Sequence, residues 1–425
     1  MRIFLYGLMF LFLLPFSGLT QRNVLEKIIR QHKADFGDWA KDPEAYELQV
    51  IYTQIDRDAQ GRPSFTSYRY GVDPNNYFYP ASTVKMPTAL LALEKLHQLD
   101  IVGLDKHTPM RTGKAREPQT AAIVDATAPN LLPSVGHYVR KIFLVSDNDA
   151  HNRLYEFLGQ RYLNEQLQAK GFTESRIIHR LSVSGFDTLG NRYTNPVTFY
   201  RNDEVLYRQG EVYGKWYDDL GLSGQVRGKA YLTKDDKIVN EPFDFRYKNY
   251  LSVQDLHDIV KAIIFPQAVA PEQRFNISGD DYEWVWRAMA EFPQESDYPN
   301  YSDKEDHYVK FWMYGDRDSS FQIPPHMRIL NKVGWAYGFL TDAAYIVDLD
   351  AGVEFMLTGT IHVNENEIYN DGMYEYYERG LPFFGELGRA VYDYELARKR
   401  THKPDLEWLR ALIPPRKHPI EASGE

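Results

Sequence analysis

The stretch "YPASTVKMPTALLALEKL", Tyr79 to Leu96, opens with a proline and places a serine and a lysine three residues apart on its first turn. A second proline follows, and the remainder is a run of Ala, Leu, Glu and Lys with strong helix preference. Residues three apart on a helix share a face, so the Ser82 hydroxyl and the Lys85 amine are expected to meet. A serine hydroxyl is a poor nucleophile at neutral pH unless a base removes its proton. A lysine serves as that base when burial or a neighbouring cation depresses its pKa, and Val84, Met86, Ala89 and Leu90 supply apolar surroundings for Lys85. The start of a helix also offers free backbone N–H groups, among them that of Ser82, to a developing oxyanion.

Outward from this helix the chain divides into strand-rich ends and a helical middle. Val24 to His32 reads as a first helix with Val24, Leu25, Ile28 and Ile29 on one side. Leu48 to Ile55 alternates, "DAQGRP" is turn chemistry, and "SFTSYRYG" follows, which together predict a β-hairpin. Near the other end "HMRILNKVGWAYG", "TDAAYIVDLD" and "GVEFMLTGTIHV" read as an antiparallel meander broken at Asp350 to Gly352. Helices are expected at Ser134 to Val145, Asp149 to Leu158, Arg161 to Lys170 and Leu251 to Phe265, the last with Ser252 and Asp255 as a capping box. A C-terminal helix is expected at Phe383 to Arg398. This order implies an α/β (α+β) fold: one antiparallel sheet built from both chain ends, flanked by helices, with an all-helical lobe inserted. The single domain is expected to run from 21 to 400, with a C-terminal tail at 401–425. Residues 200–249, rich in Tyr, Gly, Asp and Lys with little periodicity, read as an insertion. The acidic, aromatic run from Tyr282 to Gly315 reads as a solvated, partly packed lid, with lining of a groove as the alternative.

Composition bounds the function. The 425 residues are 43% hydrophobic and 14% aromatic, enough to bury a large core, and the formal net charge is -10. No basic tract follows a phosphate backbone, so nucleic acid is not an expected partner. There is no cysteine, which excludes disulfides, thiolate catalysis and Cys-ligated zinc. His151, His179 and His362 are isolated in sequence, and no metal or other cofactor is expected. Residues 1–20 carry one Arg, an apolar run from Ile3 to Phe16 and small residues at Ser17, Gly18 and Thr20, the pattern of a secretory signal peptide. Export to a periplasmic or extracellular location, as a monomer without lasting membrane insertion, is the expectation.

Two further motifs follow in order: Ser146-Asp147-Asn148 between two expected helices, and Lys332-Val333-Gly334 on the first strand of the meander. With S-x-x-K at Ser82 they resemble the active-site serine β-lactamase and penicillin-binding-protein superfamily, most closely the class A β-lactamase branch, over about Ala45 to Arg398. The resemblance implies Ser82 as the acylated nucleophile and Lys85 in its activation. It implies Ser146 as a proton relay to the leaving nitrogen, Asn148 as the partner of the substrate's side-chain amide, and a structural Asp147. Lys332 would face the substrate carboxylate and Lys85, Gly334 would let the substrate lie along the strand edge, and the Trp335 N–H would be the second oxyanion donor.

Two departures qualify what the resemblance implies. Class A enzymes carry a Glu shortly after an Arg-Leu pair, yet Arg180-Leu181 is followed by "SVSGFDTLGNRYTNP", without a Glu. Gly185 falls near that place, and Asp187 is the one local carboxylate, a possible deacylation base or a turn former. Val333 stands where the family has Thr or Ser, so the hydroxyl that helps bind the substrate carboxylate is missing. The expected function is a secreted serine hydrolase forming an acyl-enzyme on Ser82, with slow β-lactam hydrolysis. The alternatives are a D,D-peptidase or esterase acting on cell-wall peptide or ester, and a non-catalytic wall-binding homologue.

Overall fold

The computed structural model of the protein describes residues 23–216 and 219–413. The expected signal segment at 1–20 and the end of the tail lie outside the described residues. The first helix, α1 (Val24–Gln31), starts where the Asn23 side chain accepts the N–H groups of Leu25 and Glu26, and it buries Leu25, Ile28 and Ile29. The hairpin follows as β1 (Gln49–Arg57) and β2 (Pro63–Tyr70), and the meander as β3 (Met327–Ala336), β4 (Phe339–Asp348) and β5 (Val353–His362). These strands form one sheet in the order β3-β4-β5-β1-β2, with every neighbouring pair antiparallel. The two chain ends therefore meet along the β5–β1 seam.

Strand alternation sorts side chains into two cores. Along β4, Phe339, Ala343, Tyr345 and Val347 pack with the helices of the inserted lobe, whereas Leu340, Ala344 and Ile346 pack on the opposite side. Every residue of β4 is buried, as a strand covered on both faces requires. The lobe-side core is built on α2 (Lys85–Leu99), α3 (Val135–Val145), α4 (Asn148–Leu158), α5 (Gln160–Ala169), α6 (Val253–Ile264) and α7 (Gly279–Ala290). The other core holds α1 and α8 (Leu381–Ala397) with Trp39 and Trp312. Helix α2 is buried nearly all round, including Leu90, Leu91 and Leu93, so each of these leucines contributes about 1.5–3 kcal/mol.

Three regions depart from expectation. The run from Tyr282 to Gly315 is packed at both ends, and its exposed middle lines a groove through Tyr301, Lys304 and Tyr308, the alternative reading. It begins inside α7, whose start is fixed by a reciprocal capping box between Ser278 and Asp281, and it ends on Phe311, Trp312 and Met313, all buried. Asp342, itself fully buried, accepts the backbone N–H groups of Phe311 and Trp312 and anchors that end to the sheet. The tail stays on the domain as far as α9 (Glu407–Leu412), because Leu406 and Leu409 are buried in the lobe-side core and Trp408 packs edge-on to Trp286. The lobe also carries short strands. Met110–Thr112, Val197–Arg201 and Glu204–Gln209 form one small sheet, and Ala230–Leu232 pairs with Ile238–Val239 and with Ile368–Tyr369. Residues 200–249 are thus tied to the segment that follows the meander. At α6 the Ser252 side chain accepts the Asp255 N–H, the first half of the expected box.

Candidate active site

Ser82 lies in a single 3-10 turn, Ala81–Val84, that leads directly into α2. The turn is tight: Ala81 holds a positive φ of 46°, a conformation costing about 1–3 kcal/mol at a non-glycine residue. It is pinned from inside by Thr83, whose hydroxyl and N–H both bond the Pro80 carbonyl. Edge strand β3 runs past this turn. A Cβ on Gly334 would come within 2.4 Å of the Pro80 carbonyl oxygen and 2.9 Å of the Ser82 nitrogen. The glycine is therefore required first by the close approach of strand to turn, before any question of room for a substrate.

The second motif is a corner between two helices. Ser146 caps α3 in the left-handed region (φ 59°), and its N–H bonds the Ile142 carbonyl. Asp147 caps α4 by accepting the Ala150 N–H at 2.8 Å and lies 3.6 Å from Lys141, so its role is structural. The corner pushes the Ser146 and Asn148 side chains toward Lys85. The Lys85 Nζ lies 2.8 Å from Ser82 Oγ, 2.7 Å from Asn148 Oδ1 and 3.2 Å from Ser146 Oγ, and it bonds the Ser146 carbonyl. From the strand side, Lys332 Nζ is 2.8 Å from both Ser146 Oγ and the Val333 carbonyl. The structure thus brings Ser82, Lys85, Ser146, Asn148 and Lys332 together.

Electrostatics follow from burial. Lys85 is inaccessible to solvent, and desolvation lowers its pKa to about 7, against a smaller opposing pull from Asp147. Lys332 is pushed down by burial first and by the Lys85 charge second. A neutral amine has two hydrogens and one lone pair. The Ser146 carbonyl and Asn148 Oδ1 can only accept, so they take the two hydrogens, and the lone pair is left for the Ser82 hydroxyl. That is the arrangement of a general base. A carboxylate arriving at Lys332 would favour charge there and keep Lys85 neutral.

These residues open on a cleft of about 840 Å³ whose walls include Ser82, Ser146, Asp147, Asn148, Val333, Gly334 and Trp335. Trp335 is 39% exposed and its ring stacks on Tyr376 at 5.6 Å. Asp187 is not brought to Ser82. Its Oδ1 accepts the Gly190 N–H at 2.6 Å, as a turn former does, and it lines a neighbouring cavity. Glu211, a carboxylate of the insertion, is paired with Arg116. What the 178–192 loop presents to the cleft is Leu181 and Ser182. Leu181 is held there by Asn152, which donates to its carbonyl and accepts its N–H, both at 2.9 Å.

Several wall residues carry no sequence motif: Tyr301, Lys304 and Tyr308 on one side, Asn370, Tyr374 and Tyr376 on the other. The Tyr-rich composition of 298–308 was the available signal for the first group, and nothing marks the second. Among the described residues no cluster of His, Cys, Asp or Glu is arranged to hold a metal ion, and no helix is long and apolar enough to cross a membrane.

Residues 35–277 match the sequence profile described as the β-lactamase enzyme family. The chain belongs to that family. Among solved structures it is similar to a β-lactamase from Sphaerobacter thermophilus DSM 20745, with 13% identity, 87% of this chain and 96% of that one covered, and a TM-score of 0.45. It is similar also to PBP-A, with 14% identity, 88% and 96% coverage and a TM-score of 0.47. An ancestral class A β-lactamase gives 13% identity, 86% and 99% coverage and a TM-score of 0.44. A search of curated proteins finds no match. By family the protein is a serine hydrolase of the β-lactamase type.

Proposed function

We propose that the protein is an exported, penicillin-reactive acyl-transfer enzyme that forms an acyl-enzyme on Ser82 and releases it slowly. The observation that carries this reading is the set of partners around Lys85 Nζ: two pure acceptors and the Ser82 hydroxyl, in a buried site where the amine titrates at about 7. In the proposed step the Ser82 O–H proton passes to Lys85 while Oγ attacks the carbonyl carbon of a β-lactam, or of a cell-wall peptide or ester. The oxyanion is taken to lie against the Ser82 and Trp335 N–H groups. Collapse breaks the bond from the carbonyl carbon to the leaving atom, nitrogen in a lactam or peptide and oxygen in an ester, and that atom receives the proton from Lys85 through the Ser146 hydroxyl. Lys85 ends the half-reaction neutral, and the acyl group is an ester of Ser82.

Release requires a water and a base within about 3 Å of the ester. The one carboxylate among the described residues that line the cleft, Asp147, is committed to capping α4 and to Lys141. This favours the D,D-peptidase or esterase reading over efficient β-lactam hydrolysis, since a lactam-derived ester would persist. Val333, apolar where a hydroxyl would assist the substrate carboxylate, points the same way. Export is supported by the charged, apolar and small-residue pattern of 1–20 and by the lack of cysteine. Intact-protein mass spectrometry after addition of benzylpenicillin, followed over time, tests the reading. The expected result is one adduct mass that forms, decays slowly and is abolished in Ser82→Ala. An adduct that survives in Ser82→Ala overturns the nucleophile, and no adduct in the wild type favours a non-catalytic wall-binding role.

A further inference from the structure

Beside the cleft lies a second cavity of about 700 Å³, enclosed by the 178–192 loop and by residues 232–248 of the insertion. Tyr79, Ser182, Tyr337 and Asn370 line both spaces and form the boundary between them. This boundary is built, not incidental. Tyr337 and Gly338 are the two turn residues between β3 and β4, both with positive φ, which fits the tight turn that a two-residue hairpin demands. The Tyr337 ring is then fixed by edge contact with Tyr79 at 5.0 Å and by Phe243 and Phe245, each at 5.4 Å. The insertion thereby reaches the first strand of the active site through a rigid aromatic cluster.

The charge in this cavity is unusual for a structural void. Arg192, Lys234 and Lys248 line it, and none of the three meets a carboxylate at ion-pair distance among the described residues. The Lys248 ammonium sits 5.6 Å from the Tyr337 ring centre and 5.7 Å from that of Phe243, close behind the boundary. The Arg192 Nε is buried without a hydrogen-bond partner. Two carboxylates also line the space: Asp187, one oxygen of which takes the Gly190 N–H, and the exposed Asp236. Arg180 is neutralised by Glu156. Among the described residues, these three cations, Lys234 exposed like Asp236, set against two carboxylates leave one net positive charge beside aromatic walls. At the boundary, His179 stacks parallel to Tyr79, and its Nδ1 faces the Arg180 carbonyl at 2.5 Å. That contact makes Nδ1 the protonated nitrogen, so Nε2 is an acceptor, and it is buried without a partner.

We propose that this cavity is a subsite for the acyl-side arm of the substrate and that it selects an arm ending in a carboxylate. The inference rests on Ser82 being the acylated residue. The acyl side is assigned because a leaving-group carboxylate already has Lys332, which does not line this space. An arm crossing the boundary would run over the Tyr337 and Tyr79 rings and bring its carboxylate to Lys248, with Lys234 and Arg192 beyond.

The test compares glutaryl-7-aminocephalosporanic acid with its pentanoyl counterpart, which differs by a terminal methyl in place of the carboxylate. Calorimetric titration of the full-length Ser82→Ala protein is expected to show about tenfold tighter binding of the glutaryl compound, the order of a charge-assisted hydrogen bond in a partly buried site. The preference is expected to fall to about twofold or less when Lys234→Gln and Lys248→Gln are added, to survive Lys248→Arg, and to shrink as ionic strength rises. Equal affinities for the two compounds, or a preference unchanged in the doubly substituted protein, overturn the proposal. Wild-type protein is exposed to both compounds in parallel and its mass measured. Absence of any adduct refutes the acyl-enzyme reading, while the binding ratio still decides the subsite.

Discussion

Replacing Lys85 by Met should stabilise the fold at low pH and destabilise it at high pH. In the folded chain the amine is inaccessible and titrates at about 7 in place of the ordinary 10.5, burial being the main cause. That difference corresponds to about 5 kcal/mol. The sign follows from proton binding: between about 7 and 10.5 the unfolded chain holds a proton that the folded chain has released, so wild-type stability rises with pH across that window and is flat below it. Met removes this dependence and buries an unbranched apolar chain of similar reach. It also leaves the Ser146 carbonyl and Asn148 Oδ1 without the donor they now share, a loss of about 3 kcal/mol together. The variant should therefore be about 2 kcal/mol more stable than wild type near pH 6, equal to it near pH 8, and less stable by a similar amount near pH 10. Lys332, pushed down partly by Lys85, is relieved in the same substitution, which enlarges the gain at low pH. Urea unfolding of both proteins at several pH values measures the difference directly. A difference that stays constant across the window would mean that the folded amine titrates where a free lysine does, and Lys85 could not then act as the base toward Ser82.

Three further outcomes are expected. The rate of penicillin adduct formation, read by intact mass, should fall about tenfold per pH unit below about pH 7 and level off above it, because only neutral Lys85 accepts the Ser82 proton. Gly334→Ala should cost about 1–3 kcal/mol in chemical unfolding and slow acylation severely, since its methyl meets backbone atoms of Pro80 and Ser82 that cannot swing away. Glu156→Gln should lower stability by about 3–5 kcal/mol. It leaves Arg180 and Arg153 buried beside a neutral amide and removes one of the ties between the 178–192 loop and α4, and limited proteolysis would then cut first in that loop.

How much of this was legible beforehand depends on the range of the interactions involved. The Ser82–Lys85 pair follows from helix geometry over one turn, and the β1–β2 hairpin and the β3–β4–β5 meander follow from strand alternation and turn residues. The corner at Ser146 was visible as a break between two helical runs. Long-range partners were not. Glu156, on a helix that reads as ordinary, is the residue that anchors Arg180, and Asn195 donates to both of its carboxylate oxygens at 3.3 Å. Nothing local marks that meeting. Helix α7 was hidden by its own composition: an acidic run with three aromatic residues within twelve reads as a lid, although Ser278 and Asp281 held the start signal. Asp187 is a case where spacing alone left two readings, base or turn former, and the bond from the Gly190 N–H is a contact only the structure displays. Gly334 matched the motif, but the reason for it is the 2.4 Å approach to Pro80.

On the proposed reading, the same geometry makes acylation easier than release. Lys85 touches Ser82 Oγ directly, so in the forward step base and nucleophile are already in contact and no third body is needed. For release, the attacking water has to approach the ester from a side where its proton can be taken. Lys85 is again neutral after the leaving nitrogen has its proton, but two of its three bonding directions remain committed to the Ser146 carbonyl and Asn148. The third, its lone pair, faces the ester oxygen, which has no proton to give, so the amine's one accepting direction lies along the Ser82 side and not toward a water on another face. The opposite wall is made by Leu181 and Ser182, and Leu181 is fixed through its backbone by Asn152, so that wall cannot readily turn to present another group. An aliphatic side chain there neither orients a water nor accepts its proton. In the proposed reaction, then, release is the harder half because the backbone that Asn152 fixes there carries a leucine.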